Sequence, residues 1–191
     1  VIPSMVHRSL LGADNALGVQ SERHPDGWGV AYYIEDAPHI TKSASTALND
    51  TLFQRVSGIV SSETVLAHIR KATQGELSVL NTHPFQYGRW VFAHNGDIPE
   101  FAEVRKKLVA EVAPKLRRFI LGDTDSEVLF FLLMSELSRY GPLSQRIGLD
   151  EVMESLKAVV ETTRALCDTK ERGPTRLLTL LVTDGAPFLA H

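Results

Sequence analysis

The segment Trp90–Pro99 is the part of this sequence that most constrains the fold. It begins with an apolar run typical of a buried strand and then reaches Asn95-Gly96, a dipeptide typical of β-hairpin turns. No second strand pattern follows. Instead, apolar residues recur at helical spacing, at Phe101, Val104, Leu108 and Val112. The sequence therefore predicts a turn from strand to helix at Asn95-Gly96, and a plain hairpin remains the alternative.

This predicted turn has the groups of an oxyanion hole. Asp97 is suited to cap the following helix, and Pro99 suits its first turn. The amide side chain of Asn95 then lies beside the backbone N–H of Gly96, which no side chain obstructs. Two neutral donors aimed at one oxygen stabilise the negative charge that develops on a carbonyl under attack.

The composition is that of an ordinary globular chain, and it excludes several partners. Of the 191 residues, 43% are hydrophobic and 23% are charged, with a net charge of -3. Because phosphate binding needs clustered Lys and Arg, we expect no nucleic-acid partner. No apolar run reaches membrane-spanning length, so we expect no membrane partner. The single cysteine, Cys167, rules out an internal disulfide and is expected to pack in a helix.

The order of the predicted elements favours an α+β domain over alternating βαβ units, because strands, helices and strands are segregated. The predicted strands are Trp28 to Ile34, Ile40 to Lys42, Thr64 to Ile69, Arg89 to Ala93, Leu177 to Val182 and Phe188 to Ala190. The predicted helices run from Asn49 or Asp50 to Val56, Pro99 to Val112, Ser126 to Tyr140 and Asp150 to Leu166. A capping box at Thr124–Glu127 begins the third helix. No Gly-rich phosphate loop follows a strand, which counts against a nucleotide-binding fold.

Two segments carry charges suited to an α-amino acid. The strand ending at Ile69 is followed by Arg70, which can clamp a carboxylate, and by Thr73, which can donate to it. The alternative for Arg70 is a surface ion pair. Asp125 belongs to a carboxylate cluster at a helix start, where capping explains only part of the charge. Asp125 can bind a substrate ammonium, so that Arg70 and Asp125 recognise the two ends of the molecule.

Histidines provide further candidates. His83 precedes a proline, which holds its backbone extended and presents the imidazole rigidly, although a plain loop histidine is the alternative. A metal site is not favoured, because no pair at the i, i+4 spacing of a zinc protease occurs among His24, His39, His68, His83 and His94. A nucleophile is missing, because Cys167 lies away from these segments and no Gly-x-Ser-x-Gly elbow exists.

Taken together, these segments resemble class II glutamine amidotransferases, which are N-terminal-nucleophile (Ntn) hydrolases. The variant at residues 24–29 is most similar to the stand-alone branch that includes the amidohydrolase of ergothioneine biosynthesis. The motifs that carry the resemblance are His24-Pro25-Asp26-Gly27-Trp28-Gly29, Ala67-His68-Ile69-Arg70-Lys71-Ala72-Thr73, Asn81-Thr82-His83-Pro84-Phe85, His94-Asn95-Gly96 and Thr124-Asp125-Ser126-Glu127.

The resemblance implies a fold and a chemistry. The expected fold is a four-layer αββα sandwich with two antiparallel sheets, and residues 1–191 form a single domain. The family's N-terminal cysteine attacks the γ-carboxamide of glutamine, and its own α-amino group, with a pKa near 8, serves as the base. The reaction needs neither a metal nor an organic cofactor. It passes through a thioester and yields glutamate and ammonia.

The resemblance also assigns residues by position. Asn95 and Gly96 supply the oxyanion hole. The glutamine moiety is held by Arg70, Thr73 and Asp125, and His83 lines the same pocket. Support for the turn near the nucleophile comes from Arg23, Asp26 and Gly27.

The nucleophile itself lies outside the sequence. Val1–Pro3 resembles the residues just past the family's first strand, so we expect truncation at both ends and a cysteine upstream of Val1. We expect a cytoplasmic enzyme, a small γ-glutamyl substrate and an ammonia-accepting partner protein. The alternatives are a hydrolase of a larger γ-glutamyl metabolite, a glutamine-binding protein without the nucleophile, and a metal hydrolase.

Overall fold

The computed structural model describes residues 6–168, 176–186 and 189–190, and its chain divides into two compact units. Unit 1 comprises residues 1–93 and 182–188, and unit 2 comprises residues 94–181 and 189–191. The strands are β1 (Trp28–Ile34), β2 (Ala37–Ser43), β3 (Val65–Ile69), β4 (Phe85–Tyr87), β5 (Trp90–Asp97), β6 (Arg176–Thr183) and β7 (Leu189–Ala190). The helices are α1 (Leu17–Gln20), α2 (Thr51–Ile59), α3 (Phe101–Glu111), α4 (Pro114–Arg117), α5 (Asp125–Leu137) and α6 (Leu149–Cys167).

Unit 1 contains an antiparallel sheet in the order β2-β1-β3. β1 and β2 form a hairpin in which Ile34 pairs with Ala37, and Glu35 between them adopts a left-handed conformation with φ 53°. On its other edge β1 pairs with β3, Trp28 lying opposite Ile69. The strands predicted at Trp28 to Ile34, Ile40 to Lys42 and Thr64 to Ile69 are confirmed. β1 and β3 contain buried apolar residues, whereas β2 has no buried residue and is longer than predicted.

The core of unit 1 lies between this sheet and α2. The rings of Trp28 and Phe53 meet edge to face with centroids 5.0 Å apart, and both residues are fully buried. Asp50 begins α2, since its Oδ1 accepts the backbone N–H groups of Leu52 (2.7 Å) and Phe53 (3.1 Å). Its Oδ2 accepts the indole N–H of Trp28 (3.0 Å), so one carboxylate joins the helix start to the sheet.

The second sheet has the order β4-β5-β6-β7. β4 and β5 form an antiparallel hairpin that pairs Phe85 with Phe92 and Tyr87 with Trp90. Phe188, predicted to begin the last strand, and the predicted position of Val1–Pro3 lie outside the described residues.

The predicted turn at Asn95-Gly96 is wrong, and so is the hairpin alternative, because both residues lie within β5. The Asp97 cap is wrong as well: α3 begins after Glu100, and no side chain caps it. Pro99 precedes the helix. β4 pairs with β5 only up to Phe92, so the rest of β5 depends on β6, its other neighbour. A strand partner so distant along the chain leaves no signal in the local sequence.

Unit 2 is organised around α5, which is buried along almost its whole length. α5 contacts α3, α4 and α6. The apolar run Val128 to Met134 predicts this buried helix, and the structure confirms it. Cys167 is buried at the end of α6, as expected for a packing role. None of the helices within the described ranges is long and apolar enough to cross a membrane.

The Asp50 carboxylate generates a stability prediction. We expect Asp50→Ala to lower the free energy of unfolding by about 2–4 kcal/mol, because it removes a helix cap and leaves the buried indole N–H of Trp28 without its acceptor. Asp50→Asn is the matched control: it keeps the capping oxygen and loses only the bond to Trp28, so it should cost less. Urea unfolding measures both. An Asp50→Ala cost below about 0.5 kcal/mol would contradict the assignment.

Candidate active site

Three of the predicted site residues meet in unit 1, where the turn before β1 lies against the segment after β3. The backbone N–H of Asp26 donates to the carbonyl of Arg70 (3.0 Å), and that of Arg70 donates to the carbonyl of Gly27 (2.7 Å). The backbone N–H of Ala72 donates to Oδ2 of Asp26 (2.8 Å). These bonds extend the β1–β3 pairing and hold the two motifs together.

Gly27 is required by this turn. Its φ is +137°, a conformation that residues with a side chain rarely adopt. A Cβ at this position would also lie 2.9 Å from both the carbonyl oxygen of Ser43 and Oγ1 of Thr82. Gly29 is equally constrained, because a Cβ there would overlap the carbonyl of His83. The two glycines therefore let the Asn81–Phe85 motif lie directly against the start of β1.

Arg70 is a buried residue, with 4% of its surface exposed, so the surface ion-pair alternative is wrong. Its guanidinium donates to three successive carbonyls, those of Gln74 (2.7 Å), Gly75 (3.3 Å) and Glu76 (3.1 Å). Burial lowers the pKa of Arg70, and the Asp26 carboxylate opposes that shift. The guanidinium thus orders the loop that follows Thr73, and its role as a carboxylate clamp stays a prediction.

The other predicted residues of unit 1 differ in exposure. Thr73 is exposed in the loop after Arg70, and Arg23 is exposed in the turn before β1. His83 is buried, with its ring centroid 4.3 Å from that of His68 and 4.8 Å from that of Phe85. The His83 ring is therefore packed between other rings, unlike the side chain of an exposed loop histidine.

Unit 2 carries the remaining predicted residues. Asn95 is exposed and Gly96 is half-buried at the end of β5, whereas His94 before them and Ile98 after them are buried. The amide of Asn95 is therefore accessible on a strand whose neighbours are anchored. A donor on a regular strand is more precisely held than one on a free turn.

Asp125, with 2% of its surface exposed, binds backbone donors with both carboxylate oxygens. Oδ2 accepts the N–H of Ile98 (2.9 Å), and Oδ1 accepts the N–H of Ser126 (2.8 Å). Burial raises the pKa of Asp125 to about 6, against the lowering effect of these bonds, and the Asp97 carboxylate raises it further. Asp125 therefore ties the start of α5 to the backbone that follows Asn95-Gly96.

The predicted capping box at α5 is half confirmed. The hydroxyl of Thr124 accepts the backbone N–H of Glu127 (3.3 Å), as an N-cap should. The Glu127 carboxylate accepts the N–H groups of Leu121 (3.0 Å) and Gly122 (2.7 Å), upstream of the cap. The Glu127 carboxylate thus satisfies the backbone of the segment before α5, which explains part of the charge in this cluster.

His94 and Ser126 form a contact that the sequence analysis missed. Nδ1 of His94 lies 2.9 Å from Oγ of Ser126, and both residues are buried. Burial lowers the pKa of His94 to about 4, with Asp97 opposing the shift, so the imidazole is neutral at pH 7. Each residue adjoins a predicted site residue in the sequence, and that adjacency was the only signal available.

Sequence comparison matches residues 9–191 to the glutamine amidotransferases class-II. This chain belongs to that family. The probable glutamine amidotransferase DUG3 of Saccharomyces cerevisiae is 35% identical over 176 residues, which cover 84% of this chain and 49% of that protein. The chain thus spans about half the length of DUG3.

Two further relatives of this chain are informative. The gamma-glutamyl-hercynylcysteine sulfoxide hydrolase of Mycobacterium tuberculosis is 40% identical over 72 residues, 37% of this chain and 31% of that protein. The structure of a glutamine aminotransferase class-II domain protein from Silicibacter pomeroyi aligns with a TM-score of 0.66 and 27% identity, over 87% of this chain and 73% of that one. The chain therefore has the α+β Ntn-hydrolase fold with two antiparallel sheets, as the resemblance implies.

Metal ligation has no structural candidate in the described part of this chain. No group of three or more His, Cys, Asp or Glu side chains within residues 6–168, 176–186 and 189–190 is placed to hold a metal ion. The buried histidines instead pack against aromatic rings or bond to serine.

The raised pKa of Asp125 generates a titration prediction. We expect its carboxyl carbon to titrate in NMR with a midpoint near pH 6, because burial disfavours the charged form. Since the folded state then holds this proton more tightly than the unfolded state, stability from this group is present below about pH 4. It is lost as pH rises to 6, by about 3 kcal/mol. Asp125→Asn assigns the resonance, and a midpoint at the ordinary aspartate value would contradict the prediction.

Proposed function

We propose that this chain cleaves a γ-glutamyl amide, with glutamine as the simplest substrate, through an N-terminal cysteine lying upstream of Val1. The cysteine's α-amino group takes the thiol proton as the sulfur attacks the amide carbonyl, and it then passes that proton to the leaving ammonia. Water then hydrolyses the thioester to glutamate. The observation that carries the proposal is the accessible Asn95-Gly96 pair at the end of β5, in a chain of this family.

The oxyanion hole is assigned to the side-chain amide of Asn95 and the backbone N–H of Gly96. During attack the carbonyl oxygen becomes an alkoxide, and neutral donors already in place stabilise it without reorganising. The placement of both residues on a regular strand, between the buried residues His94 and Ile98, supports this assignment.

The substrate's charged groups are assigned by residue type. Arg70 and Thr73 are proposed to hold the α-carboxylate, and Asp125 the α-ammonium. Arg70 keeps its charge at every pH of interest, and Thr73 is exposed beside it in the sequence. His83 is proposed to line the pocket, and Arg23, Asp26 and Gly27 to support the nucleophile's turn. The Asp26–Arg70 bonding described above supports the last of these roles.

A second candidate is the hydrolysis of a larger γ-glutamyl metabolite. The segment shared with the gamma-glutamyl-hercynylcysteine sulfoxide hydrolase favours it, since that relative's name describes such a substrate. An ammonia-accepting partner protein is proposed only for a glutamine substrate, since cleavage of the larger γ-glutamyl amide releases an amine in place of ammonia. Rates of hydrolysis for glutamine and for γ-glutamyl amides with bulky amines distinguish the two candidates.

The presence of the nucleophile separates an enzyme from a glutamine-binding protein. Intact-mass analysis of the full-length protein after reaction with a glutamine-analogue chloroketone should show one covalent adduct on an N-terminal cysteine. An N-terminus without cysteine would overturn the enzymatic proposal.

Asn95→Ala should reduce kcat by roughly 10² to 10³ in the full-length protein, because one oxyanion donor is lost. KM should change little, since the ground-state carbonyl carries less charge than the tetrahedral intermediate. Ammonia release from glutamine measures both constants. Asn15→Ala, which removes another exposed amide, is the control and should keep the kcat of the wild type. Wild-type kcat in Asn95→Ala would contradict the oxyanion assignment.

Arg70→Ala and Thr73→Val test the carboxylate assignment together. We expect Arg70→Ala to raise KM about 10- to 100-fold, since a bond to a charged group contributes about 1.5–3 kcal/mol. It should also lower the melting temperature, because three loop carbonyls lose their donor. Thr73 is exposed, so Thr73→Val should raise KM with no change in melting temperature. If both variants bind like the wild type, Arg70 only orders its loop.

A further inference from the structure

We propose that Ser126 and His94 are positioning residues of the oxyanion hole: a buried hydrogen-bond chain from Asp125 through Ser126 to His94 fixes the strand end that carries Asn95 and Gly96. The inference rests on the proposed function, and it concerns two side chains to which the resemblance gives no role.

The contacts clamp the oxyanion segment from both sides. On its N-terminal side, the imidazole of His94 binds the hydroxyl of Ser126 at 2.9 Å. On its C-terminal side, the backbone N–H of Ile98 binds the carboxylate of Asp125 at 2.9 Å. Only residues 95–97 lie between these two anchors. Both anchors belong to the first two residues of α5, so the helix start acts as a common support for the segment.

Burial strengthens the hydrogen bonds that join Asp125, Ser126 and His94. The exposed fractions of His94, Asp125 and Ser126 are 3%, 2% and 4%. Hydrogen bonds are electrostatically stronger in such surroundings than in water, and breaking one leaves a buried polar group unsatisfied. Asn95, by contrast, is exposed. The buried anchors are therefore suited to hold a donor whose own side chain is exposed.

The directions of the bonds follow from the donors available. An ionised Asp125 can only accept, so the hydroxyl of Ser126 donates to Asp125 Oδ1 at 3.3 Å. The Ser126 oxygen then accepts from His94, which must carry its proton on Nδ1. The reverse direction would place the Ser126 oxygen against a carboxylate oxygen with no proton between them. These two hydrogen bonds thus select the Nδ1–H tautomer of a neutral His94.

The remaining ring nitrogen agrees with this tautomer. Nε2 of His94 is buried and has no hydrogen-bond partner among the residues that the structure describes. In the Nδ1–H tautomer this atom is a lone-pair acceptor. Buried acceptors lacking a partner are less rare than buried N–H donors lacking one.

The consequence for catalysis is a split between kcat and KM. Oxyanion donors act only if they already stand where the alkoxide forms, and a displacement of a fraction of an ångström weakens them. Loss of the Ser126 hydroxyl releases the His94 anchor but leaves the Asp125 carboxylate and its bond to Ile98. Substrate binding is then kept, while stabilisation of the tetrahedral intermediate falls.

The kinetic test compares Ser126→Ala with Ser135→Ala in the full-length protein. Both variants remove a buried hydroxyl from α5, and the Ser135 hydroxyl bonds only the carbonyl of Phe131 and the N–H of Ala113 among the described residues. We expect Ser126→Ala to lower kcat at least about tenfold with KM within about twofold. Ser135→Ala should leave kcat unchanged and lower only the melting temperature. Wild-type kcat in Ser126→Ala overturns the proposal.

A spectroscopic test does not depend on catalysis. In ¹⁵N-histidine-labelled protein at pH 7.5, the His94 ring, assigned by its loss in His94→Gln, should show a protonated Nδ1 and an unprotonated Nε2. Ser126→Ala should lose this preference, and Ser126→Thr, which keeps a hydroxyl, should retain it. A wild-type Nε2–H tautomer overturns the proposal, even if Ser126→Ala fails to fold.

The two tests separate this inference from the proposed function. If the wild type hydrolyses neither glutamine nor a larger γ-glutamyl amide, the proposed function fails, and the catalytic role of Ser126 fails with it. If the wild type is active and Asn95→Ala is not, while Ser126→Ala matches the wild type, only the inference fails.

Discussion

The hydrogen bonds of one buried carboxylate, that of Asp125, hold the strand end to which the oxyanion hole is assigned. Asp125 accepts the N–H of Ile98 and the N–H of Ser126, so it joins the end of β5 to the start of α5. Burial raises the pKa of Asp125 to about 6, and these hydrogen bonds oppose that rise. The strand end that carries Asn95 and Gly96 is thereby tied to the most buried helix of the unit.

In unit 1, backbone hydrogen bonds and the guanidinium of Arg70 hold the irregular segments beside the sheet. Backbone hydrogen bonds of Asp26 and Arg70 join the turn before β1 to the segment after β3. The Arg70 guanidinium donates to carbonyls of the loop that follows. Gly27 and Gly29 let the His83 segment approach where any Cβ would collide. In both units, charged side chains satisfy the backbone of irregular segments, which regular secondary structure leaves unpaired.

Local patterns predicted most of the fold. The apolar runs at β1 and β3, the cap at Asp50 and the uninterrupted run in α5 each encode their element within a few residues. The candidate residues emerged as motifs in the same way. The end of β5 was mispredicted because Asn-Gly is locally a turn signal, and its extended conformation depends on β6, a strand far along the chain. The sequence predicts a surface ion pair or a bond to substrate for Arg70. Its bonds to three loop carbonyls could not be predicted, because no sequence pattern shows which carbonyls converge on it.

The sequence by itself determined the family, the positions of the donors and charges, and most of the helices and strands, because spacing and residue type are local properties. The tertiary structure alone decided how those residues are held. It set Asn95-Gly96 in a strand, gave Asp125 two backbone donors and brought the hydroxyl of Ser126 to the imidazole of His94. The Ile98–Asp125 and His94–Ser126 bonds join residues that are 27 and 32 positions apart along the chain, so their energy depends on packing that no local pattern records.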